Sequence, residues 1–187
     1  MLIIGITGTL GAGKGTVVEY LCEIKGFRHY SVRAYLLEEI RRRGLPENRD
    51  SMVVVANDLR RKHSPSFVTD QLYLQAVGRG ENCIIESIRT PGEIVSLREK
   101  GRFFLFAVDA DPVLRYQRIS ARQSETDHIS YETFLENEAR EMSATDPNKQ
   151  NLQACIRDAD FLLNNNGTRE ELFIQVENFL QQIPHTG

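Results

Sequence analysis

Gly8-Thr9-Leu10-Gly11-Ala12-Gly13-Lys14-Gly15-Thr16 is the stretch on which the reading of this chain turns. It follows an apolar run, Leu2 to Thr7, that reads as a strand. It opens a segment in which Val17, Leu21 and Ile24, with Val18 and Cys22 beside them, fall on one helical face before Gly26 stops it. The order strand, glycine-rich turn, helix has a chemical meaning. Glycines let backbone N–H groups converge on a phosphate where a Cβ would obstruct them. The N-terminus of the following helix adds partial positive charge. Lys14 reaches the outer phosphates of a nucleotide, and a hydroxyl after the lysine ordinarily sits on a divalent metal. Here Gly15 stands directly after the lysine and Thr16 one residue later. Two arrangements are open: Gly15 takes the place of the usual hydroxyl, or Thr16 serves the phosphate or metal shell in its stead.

Outward from this stretch, short apolar runs alternate with helical periods. Phe27 to Ser31, Asn82 to Ile88, Arg102 to Asp109 and Asp160 to Asn164 are expected strands. Leu36 and Ile40 mark a helix ended by Gly44 and Pro46, and Met52, Val55, Ala56 and Leu59 mark another. Ser64-Pro65 is read as an N-cap with proline at the first helical position, continued by Val68, Leu72 and Ala76. Asp111-Pro112 starts a helix, and Ser130 the next, with Leu135, Ala139 and Met142 expected inward. A shorter helix holds Leu152, Cys155 and Ile156. Thr168 with Glu171 forms a capping box for the last one, whose Leu172, Val176, Phe179 and Ile183 face the core. Strands interleaved with helices imply a parallel sheet covered on both faces, with ligands at the carboxyl ends of the strands.

Composition bounds the function classes. The chain has 187 residues, a size for one domain; 41% are apolar and 26% charged, the balance of an ordinary globular protein. A formal charge of -3 gives no general attraction to nucleic acid or anionic membrane, so neither is an expected partner. Cys22, Cys83 and Cys155 are widely spaced in apolar contexts and are read as reduced core residues, not as a disulfide or zinc framework. Leu2 to Ile6 is too short for a signal peptide and lacks a basic leader, and no run approaches spanning length, so the cytoplasm is the expected compartment.

The pattern G-x-x-x-x-G-K-G-T departs from a strict Walker A, which places Ser or Thr at 15, and resembles adenylate kinase and its relatives. Gly26 to Ser31 followed by Leu36 to Glu39 looks like the second strand and acceptor-site helix of those enzymes. Cys83-Ile84-Ile85-Glu86-Ser87-Ile88-Arg89 occupies the place of their D-G-F-P-R segment. Ala159 to Leu163 through Asn166-Gly167-Thr168 looks like the end of dephospho-CoA kinase. The ordering of Val32 to Leu37, Glu86 to Arg89 and Tyr131 to Met142 is similar to a mainly archaeal family of adenylate-kinase-like P-loop proteins. This resemblance implies a three-layer α/β P-loop fold with a five-stranded parallel sheet in the order 2-3-1-4-5. It implies one kinase domain over 1–187, with an acceptor-binding helical region at about 31–80 and a lid at about 115–140. It implies ATP as donor and Mg²⁺ as cofactor. The chain departs from adenylate kinases in having Ser31-Val32-Arg33-Ala34 where they carry S-T-G-D, and from dephospho-CoA kinases in lacking their D-x-D pair.

Site residues follow. Gly8, Leu10, Gly11, Ala12, Gly13, Lys14, Gly15 and Thr16 are expected to bind ATP, with Asn166 and Gly167 passing the adenine ring. Glu86, at a strand end, is expected to order a Mg²⁺-bound water or accept the attacking group's proton. Arg89 inherits the hold on an acceptor phosphate, for which its planar fork is suited. Ser31 and Arg33 join it in the acceptor region, and Arg49 and Arg60 are further candidates there. Arg115, Arg118 and Arg122 share one helical face. Arg118 and Arg122 match lid-side arginines, Arg115 is read as solvated, and Arg140 is expected to reach phosphate from the helix beyond. Phosphoryl transfer calls for such charges, because the protein's work is positioning and neutralising oxygens. The expected reaction is γ-phosphoryl transfer from ATP to a small phosphorylated acceptor, foremost a nucleoside or deoxynucleoside monophosphate. A dephospho-CoA-kinase-like activity and a nucleotide-dependent switch or partner-binding ATPase stand as alternatives.

Overall fold

The computed structural model describes residues 1–121 and 129–184. In chain order the elements are β1 (Leu2–Gly8), α1 (Lys14–Glu23), β2 (Arg28–Ser31), α2 (Val32–Arg42), α3 (Arg49–Lys62), α4 (Phe67–Val77), β3 (Cys83–Glu86) and α5 (Pro91–Glu99). There follow β4 (Arg102–Asp109), α6 (Pro112–Ala121), α7 (Tyr131–Met142), α8 (Leu152–Arg157), β5 (Phe161–Asn164) and α9 (Arg169–Gln182). The strands form one parallel sheet in the order β2-β3-β1-β4-β5, as expected. Every residue of β1 is buried, as a strand covered on both faces requires.

Alternation along the strands separates two cores. Ile3, Ile85 and Leu105 pack against Leu36, Val55, Leu72, Leu97 and Cys155 from α2, α3, α4, α5 and α8. Ile4, Ile6, Ile84 and Phe106 pack on the other face against Val17, Leu21, Leu172 and Val176 from α1 and α9. Cys83 and Cys155 are buried and Cys22 is half-buried. Burial pushes the Cys155 thiol up to about 12 and the Cys83 thiol to about 11. Among the described residues no helix is long and apolar enough to cross a membrane.

Four expectations are corrected. The third strand stops at Glu86, because Ser87 adopts a positive φ of 73 and turns the chain. Ser87 and Ile88 then both donate their N–H to the Ile6 carbonyl. Helix α4 is preceded by Ser66, so Ser64-Pro65 lies in the turn before it. On α7 the inward face carries Phe134, Glu138 and Glu141, while Leu135 and Ala139 are exposed. Ile24, expected inward, is also exposed. Helix α5 has no counterpart among the sequence-based expectations, although Thr90-Pro91-Gly92-Glu93 carries the capping-box signal. Thr90 Oγ1 accepts the Glu93 N–H, and the Glu93 carboxylate accepts the Thr90 N–H at 2.9 Å.

Glu93 does more than cap. It is 0% exposed, accepts the Arg89 N–H at 2.7 Å, and pairs with Arg60, itself 2% exposed, at 3.3 Å. A buried charge left alone is far more costly than a buried pair. Glu93→Ala is therefore expected to lower unfolding free energy by about 3–5 kcal/mol, the range for breaking a buried pair. Glu93→Gln, which still accepts the backbone N–H groups, should lose less. Urea unfolding of the two variants tests this; a Glu93→Gln variant as stable as wild type would mean that Glu93 acts only as a cap.

Candidate active site

The five strands end on one edge, where Gly8, Ser31, Glu86, Asp109 and Asn164 come together. From β1 the chain makes its glycine-rich turn and enters α1 at Lys14. Gly13 is the N-cap, at φ 96 and ψ 24. A Cβ there would meet the left-handed penalty and would lie 2.2 Å from the Asn165 amide nitrogen. That amide donates to the Ala12 carbonyl at 2.8 Å, so the loop after β5 clamps the phosphate loop. Lys14 arches back over the turn, donating to the Gly8 carbonyl at 2.9 Å and the Thr9 carbonyl at 2.7 Å. Thr9 donates its hydroxyl to Asp109 at 2.6 Å. A Cβ at Gly15 would meet nothing within 4 Å, so a hydroxyl-bearing residue would fit there, and Thr16 is half-buried beside it.

The arginines of α6 brace this loop. Arg115, read from the sequence as solvated, is 3% exposed. It donates to the Ala110 carbonyl at 2.8 Å and the Leu10 carbonyl at 3.2 Å, and pairs with Glu138 of α7 at 2.7 Å. The exchange of water for these partners explains how a cation sits so deep. Arg118 donates to the Asn165 carbonyl at 2.8 Å, one turn later. Arg122 and the rest of the expected lid between 122 and 128 lie outside the described residues. Asn165 and Asp109 were missed in the sequence. Asp109 was legible as a carboxylate at a strand end, but Asn165 was hidden beside the more conspicuous Asn166-Gly167 turn.

Glu86 stands in register with Ile6 of β1 and Ser31 of β2. His29 Nε2 lies 3.2 Å from its carboxylate. Burial pushes the Glu86 pKa upward, but the His29 bond and the charges of Lys14, His29 and Arg89 outweigh it and hold the carboxyl below its ordinary value. It is therefore ionised at neutral pH. Glu86 and Asp109 are hard oxygen donors flanking the phosphate loop, a donor set suited to Mg²⁺.

Beside the loop lies a cavity of 140 Å³ whose wall includes Leu10, Arg33, Arg49, Arg60, Arg89 and Glu141. Three expected acceptor-region arginines and Arg89 are thus brought together. Arg60 is held by Glu93, and Arg33 lies 3.6 Å from the Met52 sulfur. Arg49 and Arg89 both bond Glu141, the latter at 3.1 Å. Burial raises the Glu141 pKa, but Arg89 and Arg49 more than offset it, so this carboxyl also stays ionised. Ser31 lies off the cavity wall; its hydroxyl caps α2, accepting the Ala34 N–H at 3.2 Å. Arg140 is exposed, near Asp50 at 3.5 Å, and borders an outer cavity of 490 Å³. Asn166 accepts the Asp111 N–H at 2.7 Å and borders a 270 Å³ cleft with Asp109 and Asn164.

Residues 4–144 match the family AAA_18, an AAA domain. The chain belongs to that family. It is 28% identical over 187 residues to a UPF0200 protein of Methanococcus maripaludis, covering 98% of each chain. It is 27% identical over 186 residues to one of Methanocaldococcus jannaschii, covering 98% of this chain and 91% of the relative. Among solved structures, TT1252 from Thermus thermophilus aligns with a TM-score of 0.59 at 23% identity, over 98% of both chains. Shikimate kinase from Aquifex aeolicus aligns at 0.53 and 13% identity, over 97% of both. The fold of this AAA_18 member is thus that of P-loop kinases.

The two loop glycines should separate on substitution. Gly13→Ala meets both the left-handed backbone and Asn165, and is expected to cost at least about 1–2 kcal/mol from the backbone alone. Gly15→Ala meets open space and should leave stability within about 0.5 kcal/mol. Thermal unfolding measures both; equal losses would mean that Gly13 does not hold the left-handed conformation of this turn.

Proposed function

We propose that the chain transfers the γ-phosphoryl of ATP to a small phosphorylated acceptor, in the first place a nucleoside or deoxynucleoside monophosphate. The observation that carries this reading is the arginine-walled cavity adjoining Leu10 of the phosphate loop. A loop built for the donor's phosphates and a cationic pocket for a second anion, side by side, are what in-line transfer between two nucleotides requires. In this reading the backbone of 8–16 cradles the donor, and Lys14 swings from the Gly8 and Thr9 carbonyls to its outer phosphates. Arg118 stabilises charge from the α6 side. Arg89, with Arg33 and Arg49, orients the acceptor's phosphate. Glu86 accepts the proton of the attacking oxygen or orders a water. Glu86, through water, and the Gly15 or Thr16 region would hold Mg²⁺, which would supply neutralisation of phosphate charge. Helices α2 to α4 form the acceptor region, and most of α6 and α7 belong to the lid at about 115–140.

One observation favours a second reading, a dephospho-CoA-kinase-like reaction on a longer acceptor. The 490 Å³ outer cavity shares Val53, Glu141 and Gln150 with the acceptor cavity, and so extends it. A panel of monophosphates and dephospho-CoA, assayed by ADP release, separates the two. Turnover that no acceptor stimulates would favour a nucleotide switch.

Two variants assign the sites. Lys14→Ala should fold and lower turnover by orders of magnitude, because the migrating group loses its nearest fixed cation. Near-normal turnover would remove the loop from the chemistry. Arg89→Ala should lower kcat/KM for the acceptor roughly 10- to 150-fold, the worth of one charged hydrogen bond of about 1.5–3 kcal/mol. ATP affinity by calorimetry should barely change. If both fall equally, Arg89 belongs to the donor site.

A further inference from the structure

We infer that Glu141 is the resident anion of the acceptor site, and that a phosphomonoester enters by exchanging its phosphate for this carboxylate. The inference rests on the acceptor-site reading above and adds to it the class of anion admitted. Glu141 is 6% exposed on the inward face of α7. One carboxylate oxygen takes Arg49 from α3 and the other takes Arg89 from the loop between β3 and α5. Without it, two guanidinium groups from different elements would face each other inside a cavity already walled by Arg33 and Arg60. Like charges in such surroundings repel strongly. The carboxylate therefore does for these arginines what a substrate anion would do.

It does so incompletely. Arg49 Nε, on a residue of the cavity wall, is buried without a hydrogen-bond partner. The wall also remains net cationic with Glu141 in place. A carboxylate brings two oxygens and a single charge. A phosphomonoester brings three free oxygens and about -1.5 to -2 charges at neutral pH. Exchange for a dianion thus gains charge and an acceptor for Arg49 Nε. Exchange for another carboxylate gains neither and still requires Glu141 to move. Glu141 accordingly sets selectivity for phosphomonoesters over carboxylates. The same helix face reaches the donor loop, since Glu138 holds Arg115, which donates to the Leu10 carbonyl.

The test uses the full chain and inorganic phosphate or acetate as probes, with ADP present to fill the phosphate loop. Binding is followed by calorimetry and by the shift in thermal midpoint. Glu141→Gln should bind phosphate about tenfold more tightly than wild type, the gain expected when a site about nine-tenths self-occupied is vacated. It should also bind acetate, which wild type should not. Adding Arg89→Ala should abolish both gains. If Glu141→Gln does not fold, Glu141→Asp, whose carboxylate is withdrawn by one methylene, should show the same gains to a smaller degree. Unchanged or weaker phosphate binding in the folded variant would overturn the exchange and leave Glu141 as a group that only positions the arginines. The two readings fail separately. Arg89-dependent phosphate gain without turnover on any acceptor removes the kinase reading and keeps the exchange. Turnover without the gain does the reverse.

Discussion

Strand β1 is hydrogen-bonded to β3 on one side and to β4 on the other, and the carboxyl edge takes its geometry from that double pairing. Because both neighbours run parallel to it, their ends converge on the point where β1 turns into the phosphate loop. Ile6 opposite Glu86 puts a carboxylate beside the loop; Gly8 opposite Val108 puts Asp109 on its other flank. The order of the sheet makes β1 the place where successive connections part to opposite sides, which opens a crevice above it. A slip of one residue in either pairing would turn the paired strand's side chains to the opposite face and dissolve both the cores and the site.

The second organising feature is the use of glutamates to hold arginines in the interior. Glu93 holds Arg60, Glu138 holds Arg115, and Glu141 holds Arg49 and Arg89. Such pairs add little net stability against a well-packed apolar core, because both charges lose water. What they provide is fixed position: each guanidinium has a defined partner and a defined direction. Arg115 and Arg60 are spent on architecture, one under Leu10 and one behind Arg89. Arg49 and Arg89 share a single carboxylate in the cavity whose wall Arg60 also lines, so each has only part of a counter-ion.

Much of this was legible in the chain alone. The strand, the glycine turn and the helix from Leu2 to Glu23 are local signals, decided by periodicity and by residues adjacent in sequence. The Thr168 capping box and the buried faces of α2, α3 and α9 were read for the same reason. The inward face of α7 was not, because an apolar stripe marks a buried face and this one is largely made of Glu138 and Glu141. Buried charges break the hydrophobic period, and their partners lie far along the chain: Arg115 for one, Arg49 and Arg89 for the other.

By itself, then, the sequence determined the kind of fold and the glycine-rich turn that ends β1, since both depend on short-range pattern. It also supplied the arginines, without their assignments. Only the tertiary structure decided that Arg115 is buried and not solvated, that Ser31 caps a helix, and that Asn165 clamps the loop. Only it brought Glu141 between two arginines. Each of these rests on contacts between residues distant in the chain, and the energy of a charge is set by what lies within a few ångströms of it in space, which neighbours in sequence do not specify.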